Sequence, residues 1–213
     1  MSSAFSGFQW PMQSNPSVEL TNCSSPLTLV LQRRAYMKLF LFLTLISANA
    51  CATESLCTKN EIDYISCTLE NSKVASICGS PLKDPKTFEP RDNAWIQYRI
   101  GKINQIEFIY PDSKVGSIAK FEGNDLHPHG EDHSVLDLRF INRNALYSFE
   151  LVSNDKLTAG ISAEVEHKLS SHDCRGVIKP SYSKSFRELI WSISERNGQT
   201  DIFYEFYKKH NDK

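Results

Sequence analysis

The chain has 213 residues, with 24 Lys and Arg against 25 Asp and Glu, and 40% of its residues are apolar. This near-neutral, interspersed charge carries no electrostatic footprint for nucleic acid or for an anionic membrane surface as partner. Only nine glycines are present, and neither a phosphate-cradling glycine loop nor a Gly-x-Ser-x-Gly nucleophile elbow occurs.

Residues 1–36 are rich in Ser, Pro and Asn and show no apolar period, which reads as a disordered leader or as a start assigned too early, with Met37 the true start. Gln32-Arg33-Arg34-Ala35-Tyr36-Met37-Lys38 also resembles a twin-arginine export signal. Residues 37–52 read as a signal peptide. Lys38 is the positive start, Leu39 to Ile46 an apolar run broken only by Thr44, and Ala48-Asn49-Ala50 or Ala50-Cys51-Ala52 a cleavage site. The run is far shorter than the ~20 residues that span a bilayer, so no stable membrane span is expected. Cys51 follows Ala50 and only partly matches a lipidation motif, which leaves a lipid anchor at Cys51 as the less favoured alternative. Either route leads to the periplasm or the exterior.

Removing residues 1–52 leaves a single domain, 53–213, with enough chain for one core. Three basic residues and one acidic residue precede Thr53, so 21 and 24 remain. Four cysteines also remain, Cys57, Cys67, Cys78 and Cys174. An even count in an exported chain predicts two disulfides, with three pairings open.

The chain from Ile62 alternates with a period of two. Ile65, Cys67 and Leu69 share a face, Asn71-Ser72 turns, and Lys73 to Cys78 returns as the second half of a hairpin. Gly79 to Asn93 carries Pro81, Pro85 and Pro90 and reads as a loop. Ile96, Tyr98 and Ile100 alternate next, Gly101-Lys102 turns, and Ile106, Phe108 and Tyr110 line a strand that Pro111 ends. Pro111 to His133 is polar and irregular. Three strands around Leu136–Phe140, Tyr147–Leu151 and Ile161–Val165 follow, joined at Asn142-Arg143-Asn144 and Asn154-Asp155 as a meander. Beyond Cys174 two signals compete. Ser185-Phe186-Arg187-Glu188 matches a helix capping box, whereas Asn197-Gly198 between Trp191–Ser194 and Ile202–Tyr207 is a hairpin signal, and the hairpin is preferred. The fold class is therefore all-β, a mainly antiparallel meander of eight or nine strands with one polar face each, forming a β-sandwich or small barrel with a C-terminal helix or hairpin.

The one concentrated set of ligand-type residues is Asp125-Leu126-His127-Pro128-His129-Gly130-Glu131-Asp132-His133. His127, His129 and His133 are candidate ligands for a divalent transition metal, against the plainer reading of a solvated loop. His172-Asp173-Cys174 has the residue types of a cysteine nucleophile with its base. Neighbours on an extended chain point to opposite faces, however, so disulfide duty for Cys174 is preferred. Trp95, Tyr98, Trp191, Phe203, Tyr204 and Tyr207 are candidates for an aromatic binding surface or for core.

Asp63-Tyr64-Ile65-Ser66-Cys67, Lys73-Val74-Ala75-Ser76-Ile77-Cys78 and Gln97-Tyr98-Arg99-Ile100-Gly101-Lys102 leading into Ile106 to Pro111 resemble a group of small uncharacterised exported proteins of Gram-negative bacteria. The resemblance spans roughly Cys57 to Cys174 and implies a periplasmic or secreted location with no known active site. An aromatic-x-Cys on the first strand with a late lone Cys is also similar, more faintly, to the periplasmic lysozyme-inhibitor barrels, whose Ser/Gly-rich inhibitory loop has no counterpart here. The expected function is a non-catalytic binding module for a protein or envelope component. Metal binding or metal-assisted hydrolysis through His127 to His133, and lysozyme inhibition, are the alternatives.

Overall fold

The computed structural model describes residues 54–126 and 134–197, together with residues 202, 204, 206 and 208. Among these the chain forms nine strands: β1 (Ile62–Leu69), β2 (Val74–Gly79), β3 (Ile96–Lys102), β4 (Gln105–Tyr110), β5 (Glu122–Leu126), β6 (Ser134–Asn142), β7 (Ala145–Ser153), β8 (Leu157–Val165) and β9 (Lys168–Arg175). One helix of 18 residues follows, α1 (Pro180–Asn197). The strands make one antiparallel sheet in the order β4-β3-β2-β1-β9-β8-β7-β6-β5, which leaves β4 and β5 as edges, so the sheet is not a closed barrel.

The sheet bends at its middle. β1 and β9 share only two register pairs, Thr68↔Arg175 and Leu69↔Cys174. Their junction is stapled by the Cys67–Cys174 disulfide. The bend brings the inner faces of the two halves together over an aromatic cluster. Phe140 on β6 lies 4.4 Å from the ring centre of Tyr110 on β4, 5.2 Å from that of Tyr98 on β3 and 4.9 Å from that of its cross-strand partner Tyr147. Tyr110 also donates a hydrogen bond from its hydroxyl to the Ile141 carbonyl at 2.8 Å. Such ring pairs contribute on the order of 1 kcal/mol each beyond the area they bury.

Period-two alternation located seven of the strands, and their turns follow local chemistry. The β7–β8 turn falls at Asn154-Asp155 as expected, and β6 turns into β7 at Arg143-Asn144. The β3–β4 turn sits two residues later than Gly101-Lys102, because Lys102 pairs with Gln105 and Asn104 takes the left-handed conformation, with φ of 69°, that asparagine tolerates. The remaining two strands are not the expected Trp191–Ser194 and Ile202–Tyr207. They are β5 and β9, whose sequences Glu-Gly-Asn-Asp-Leu and Lys-Leu-Ser-Ser-His-Asp-Cys-Arg carry little apolar alternation.

The preferred C-terminal hairpin is thus corrected to a helix. It begins at Pro180, a residue suited to the first helical position, five residues before the capping-box Ser185. Ser185 sits inside the helix and donates to the Tyr64 carbonyl at 2.9 Å. Tyr182, Phe186, Leu189, Ile190 and Ile193 are buried at helical spacing. Asn197, half of the hairpin signal, is helical and donates from its amide to the carbonyls of Ile118 and Phe121. α1 lies so close to β5 that a Cβ on Gly123 would stand 2.8 Å from the Ile190 carbonyl oxygen, which only glycine avoids.

A further departure is that β2 and β3 have no solvent face apart from Lys102. Residues 54–61 lie across the outside of β1–β3 and cover the polar side chains there. The Cys57–Cys78 disulfide fixes this strap, and Leu56 donates its N–H to the Ser76 hydroxyl at 3.0 Å. Beneath it Arg99 makes a bidentate pair with Glu61 at 2.6 and 2.9 Å and donates to the Leu56 carbonyl. Burial alone would raise the Glu61 carboxyl, but hydrogen bonds from Arg99, the Thr58 N–H and Lys114, with the Arg99 charge, hold it down at about 2.

Candidate functional site

The long loop between β2 and β3 is an ordered projection. Asp84 accepts the N–H groups of Lys86 and Thr87 on one carboxylate oxygen at 2.8 and 3.2 Å, an Asx turn, and those bonds lower its pKa from the ordinary carboxylate range. Backbone bonds Asp84 to Glu89, Phe88 to Asp84 and Arg91 to Leu82, with a bridge between Lys83 and Pro90, close the loop on itself. Arg196, at the end of α1, pins it from below by donating to the carbonyls of Leu82 and Arg91 at 2.9 and 3.0 Å.

This scaffold displays Phe88 at its tip. The ring is 74% exposed and the residue has φ of 60°, a left-handed conformation that costs a bulky side chain about 1–2 kcal/mol. An exposed phenylalanine held at positive φ is neither core nor relaxed loop, and such strain is found preferentially at recognition surfaces.

Across from the loop, α1 presents Trp191, 53% exposed. Its indole N–H points away toward β5, donating to Asp125 Oδ2 at 2.8 Å, while Arg187 lies 3.4 Å from the same oxygen. The ring is thereby held in one orientation with an apolar face free to contact a partner. Between loop and helix runs an open cleft of about 460 Å³, floored by Ile62, Tyr64 and Leu82. The Tyr64 hydroxyl is spent on the Ser80 carbonyl at 2.7 Å, and burial followed by the nearby Glu188 charge pushes its pKa well up, so it stays neutral. The rim carries Asp84, Glu188 and Glu195 against one ammonium, Lys83, which lies 2.9 Å from Glu195.

Of the hydroxyls in the lining, Ser185 donates to the Tyr64 carbonyl and Tyr64 to the Ser80 carbonyl. A second hollow of about 420 Å³, on the outer face of β6–β9, is more polar. Asp137 beneath it is buried, which raises its pKa against the pull of Arg139, and both Arg139 and the Ser148 hydroxyl engage its carboxylate.

The residues singled out from sequence have separate fates. His127, His129 and His133 lie outside the described residues, as do residues 1–53, which include the signal segment and Cys51. Among the described residues no three His, Cys, Asp or Glu side chains stand together as a metal site. Cys174 is disulfide-bonded to Cys67, and His172 and Asp173 pair across to Ile161 and Gly160 on β8. Of the aromatic set, Tyr98 is core, Trp95 is half-buried under the Lys114 ammonium 3.8 Å from its ring centre, and Trp191 and Tyr204 are exposed. The side chains of Phe203 and Tyr207 lie outside the described residues. Phe88 was missed, although one aromatic within the charged, Pro-bounded run Lys83 to Pro90 was a readable signal.

Among the described residues no helix is long and apolar enough to cross a membrane. No family model, curated protein or solved structure matches the chain.

Proposed function

We propose that the protein is an exported component of the bacterial envelope, periplasmic or secreted, that works as a non-catalytic binding module for a protein or envelope component, with the cleft between the Pro81–Phe88 loop and α1 as its receptor surface. The observation that carries this reading is the exposed Phe88, held at positive φ by a self-bonded loop and facing the oriented Trp191 across an apolar floor. A fixed aromatic pair loses little side-chain freedom on binding, which is why aromatic residues anchor interfaces. The two disulfides suit an oxidising compartment.

The test is retention of envelope fractions on the immobilised protein, compared with Phe88→Ser and Trp191→Ala, alongside turnover assays on envelope polymers and esters. Retention that both substitutions abolish, without turnover, supports the reading. Turnover, or retention indifferent to both substitutions, refutes it. Intact mass from the native host tests the address. A chain beginning at Cys51 or Thr53 and four hydrogens lighter than its reduced form is expected. A chain beginning at Met1 with free thiols would overturn it.

A further inference from the structure

We propose that the cleft takes an extended polypeptide segment of a partner protein in which a Lys or Arg stands beside bulky apolar side chains. The proposal deepens the binding-module reading and rests on it.

Three properties of the cleft select this occupant. The first is charge. Asp84, Glu188 and Glu195 meet only Lys83 in the lining, and the Lys83–Glu195 contact is itself half open to water, with side chains 39% and 59% exposed. Lys184, one turn from Glu188, lies 3.9 Å away on an 84% exposed side chain, so water screens its charge from the rim. Asp84 remains ionised because the Lys86 and Thr87 N–H groups stabilise its carboxylate. A cation entering this rim gains, whereas phosphate or carboxylate groups of anionic envelope polymers are repelled.

The second property is the shortage of donors. A glycan site needs a net of side-chain donors and acceptors for hydroxyls. Here the Tyr64 hydroxyl is bonded to Ser80, the Ser185 hydroxyl to Tyr64, and the Trp191 indole N–H to Asp125 behind the ring. What faces the cleft is mostly hydrocarbon and aromatic surface with carboxylates above it. That combination fits an apolar side chain placed next to a cationic one.

The third property is shape. The cleft runs between a loop and a helix rather than closing as a cavity, so a linear segment can lie along it with Phe88 and Trp191 on opposite sides. Both anchors sit on rigid supports, the loop through Arg196 and the indole through Asp125. Recognition therefore needs little reordering of the receptor.

The experiment titrates the full exported chain with short peptides of alternating Lys and Phe, with Gln–Phe and Glu–Phe counterparts, and with N-acetylglucosamine oligomers. Trp191 fluorescence is the readout, and Trp191→Phe identifies the signal. We expect the Lys–Phe peptide to bind at least tenfold more tightly than either counterpart. Each of Glu188→Gln and Glu195→Gln should weaken it about threefold, roughly tenfold together, as should raising salt from about 50 to about 300 mM. Phe88→Ser should abolish binding. Equal binding of the Gln–Phe or Glu–Phe peptide, or saturable binding of the sugar oligomer, overturns the proposal. So does the absence of peptide binding while retention of envelope fractions still depends on Phe88 and Trp191, in which case the cleft stands and the peptide class falls. Retention indifferent to those two residues is the separate result that removes the cleft itself.

Discussion

Replacing Glu61 by Gln removes the countercharge of a guanidinium that the fold has taken out of water. Both side chains of the Arg99–Glu61 pair are 6% exposed, and the pair anchors the strap of residues 54–61 over β1–β3. The Glu61 carboxyl falls from an ordinary 4.5 to about 2 on folding. A depressed carboxylate stabilises the fold fully above its unfolded pKa, and the contribution is lost as pH falls from 4.5 through 2. At about 1.4 kcal/mol per pH unit the interactions of this carboxylate with Arg99, the Thr58 N–H and Lys114 contribute about 3 kcal/mol together. Glu61→Gln should therefore cost about 3–5 kcal/mol at pH 7, the usual penalty for orphaning a buried ion. Lys114→Ala, which removes the exposed arm of the triad, should cost under about 1 kcal/mol. Urea unfolding of wild type and Glu61→Gln at a series of pH values cancels the background of other carboxylates in the difference. The difference should be flat above pH 4.5 and shrink toward pH 2. Parallel curves across that window would show that the shift has another origin. Should Glu61→Gln fail to fold, Glu61→Met with Arg99→Met restores an apolar contact in place of the pair and should recover most of the stability.

Phe88→Asn should raise stability by about 0.5–1 kcal/mol, because asparagine tolerates the left-handed conformation that Phe88 is forced into, while retention of envelope fractions is lost. Opposite signs in urea melts and binding assays are the signature, and a destabilised Phe88→Asn would show the ring to be a packing residue. Gly123→Ala places a methyl 2.8 Å from the Ile190 carbonyl and should cost about 1–3 kcal/mol by urea unfolding as α1 is pushed off β5. A neutral Gly123→Ala would mean that the helix does not dock there. The Cys67–Cys174 bridge spans 107 residues and Cys57–Cys78 spans 21, so in the chain-entropy model their removal should cost about 5 and about 3 kcal/mol. Paired Cys→Ala variants compared by urea unfolding check that order, and an inverted order would favour strap anchoring over loop length as the main effect of Cys57–Cys78.

Much of the fold was legible because the signals are local. A strand half-buried on one face must alternate, so Ile65-Cys67-Leu69 or Leu136-Leu138-Phe140 announce themselves within a few residues, and Asn154-Asp155 supplies its own turn geometry. β5 and β9 were illegible for the same reason. They are short or exposed, carry few apolar residues, and are strands only because β6 and β8 present ladders to them. α1 was ambiguous because Ser185 to Glu188 and Asn197-Gly198 each satisfy a short-range rule. The choice falls to helix once Phe186, Leu189, Ile190 and Ile193 have a shared place beside β1, β5 and β6, and tertiary burial outweighs turn propensity. Glu61 and Arg99, 38 residues apart, gave no sign of each other at all.

By itself the sequence determined that this is a β-rich chain whose last four cysteines suffice for two disulfides, since periodicity and cysteine number are properties of neighbouring residues and of composition. The tertiary structure alone decided which cysteines pair, that the polar faces of β2 and β3 are roofed by the N-terminal strap, and that Phe88 and Trp191 stand on opposite walls of one cleft. Those are relations between residues distant along the chain, and they exist only once the bend at β1–β9 and the docking of α1 have brought the segments together.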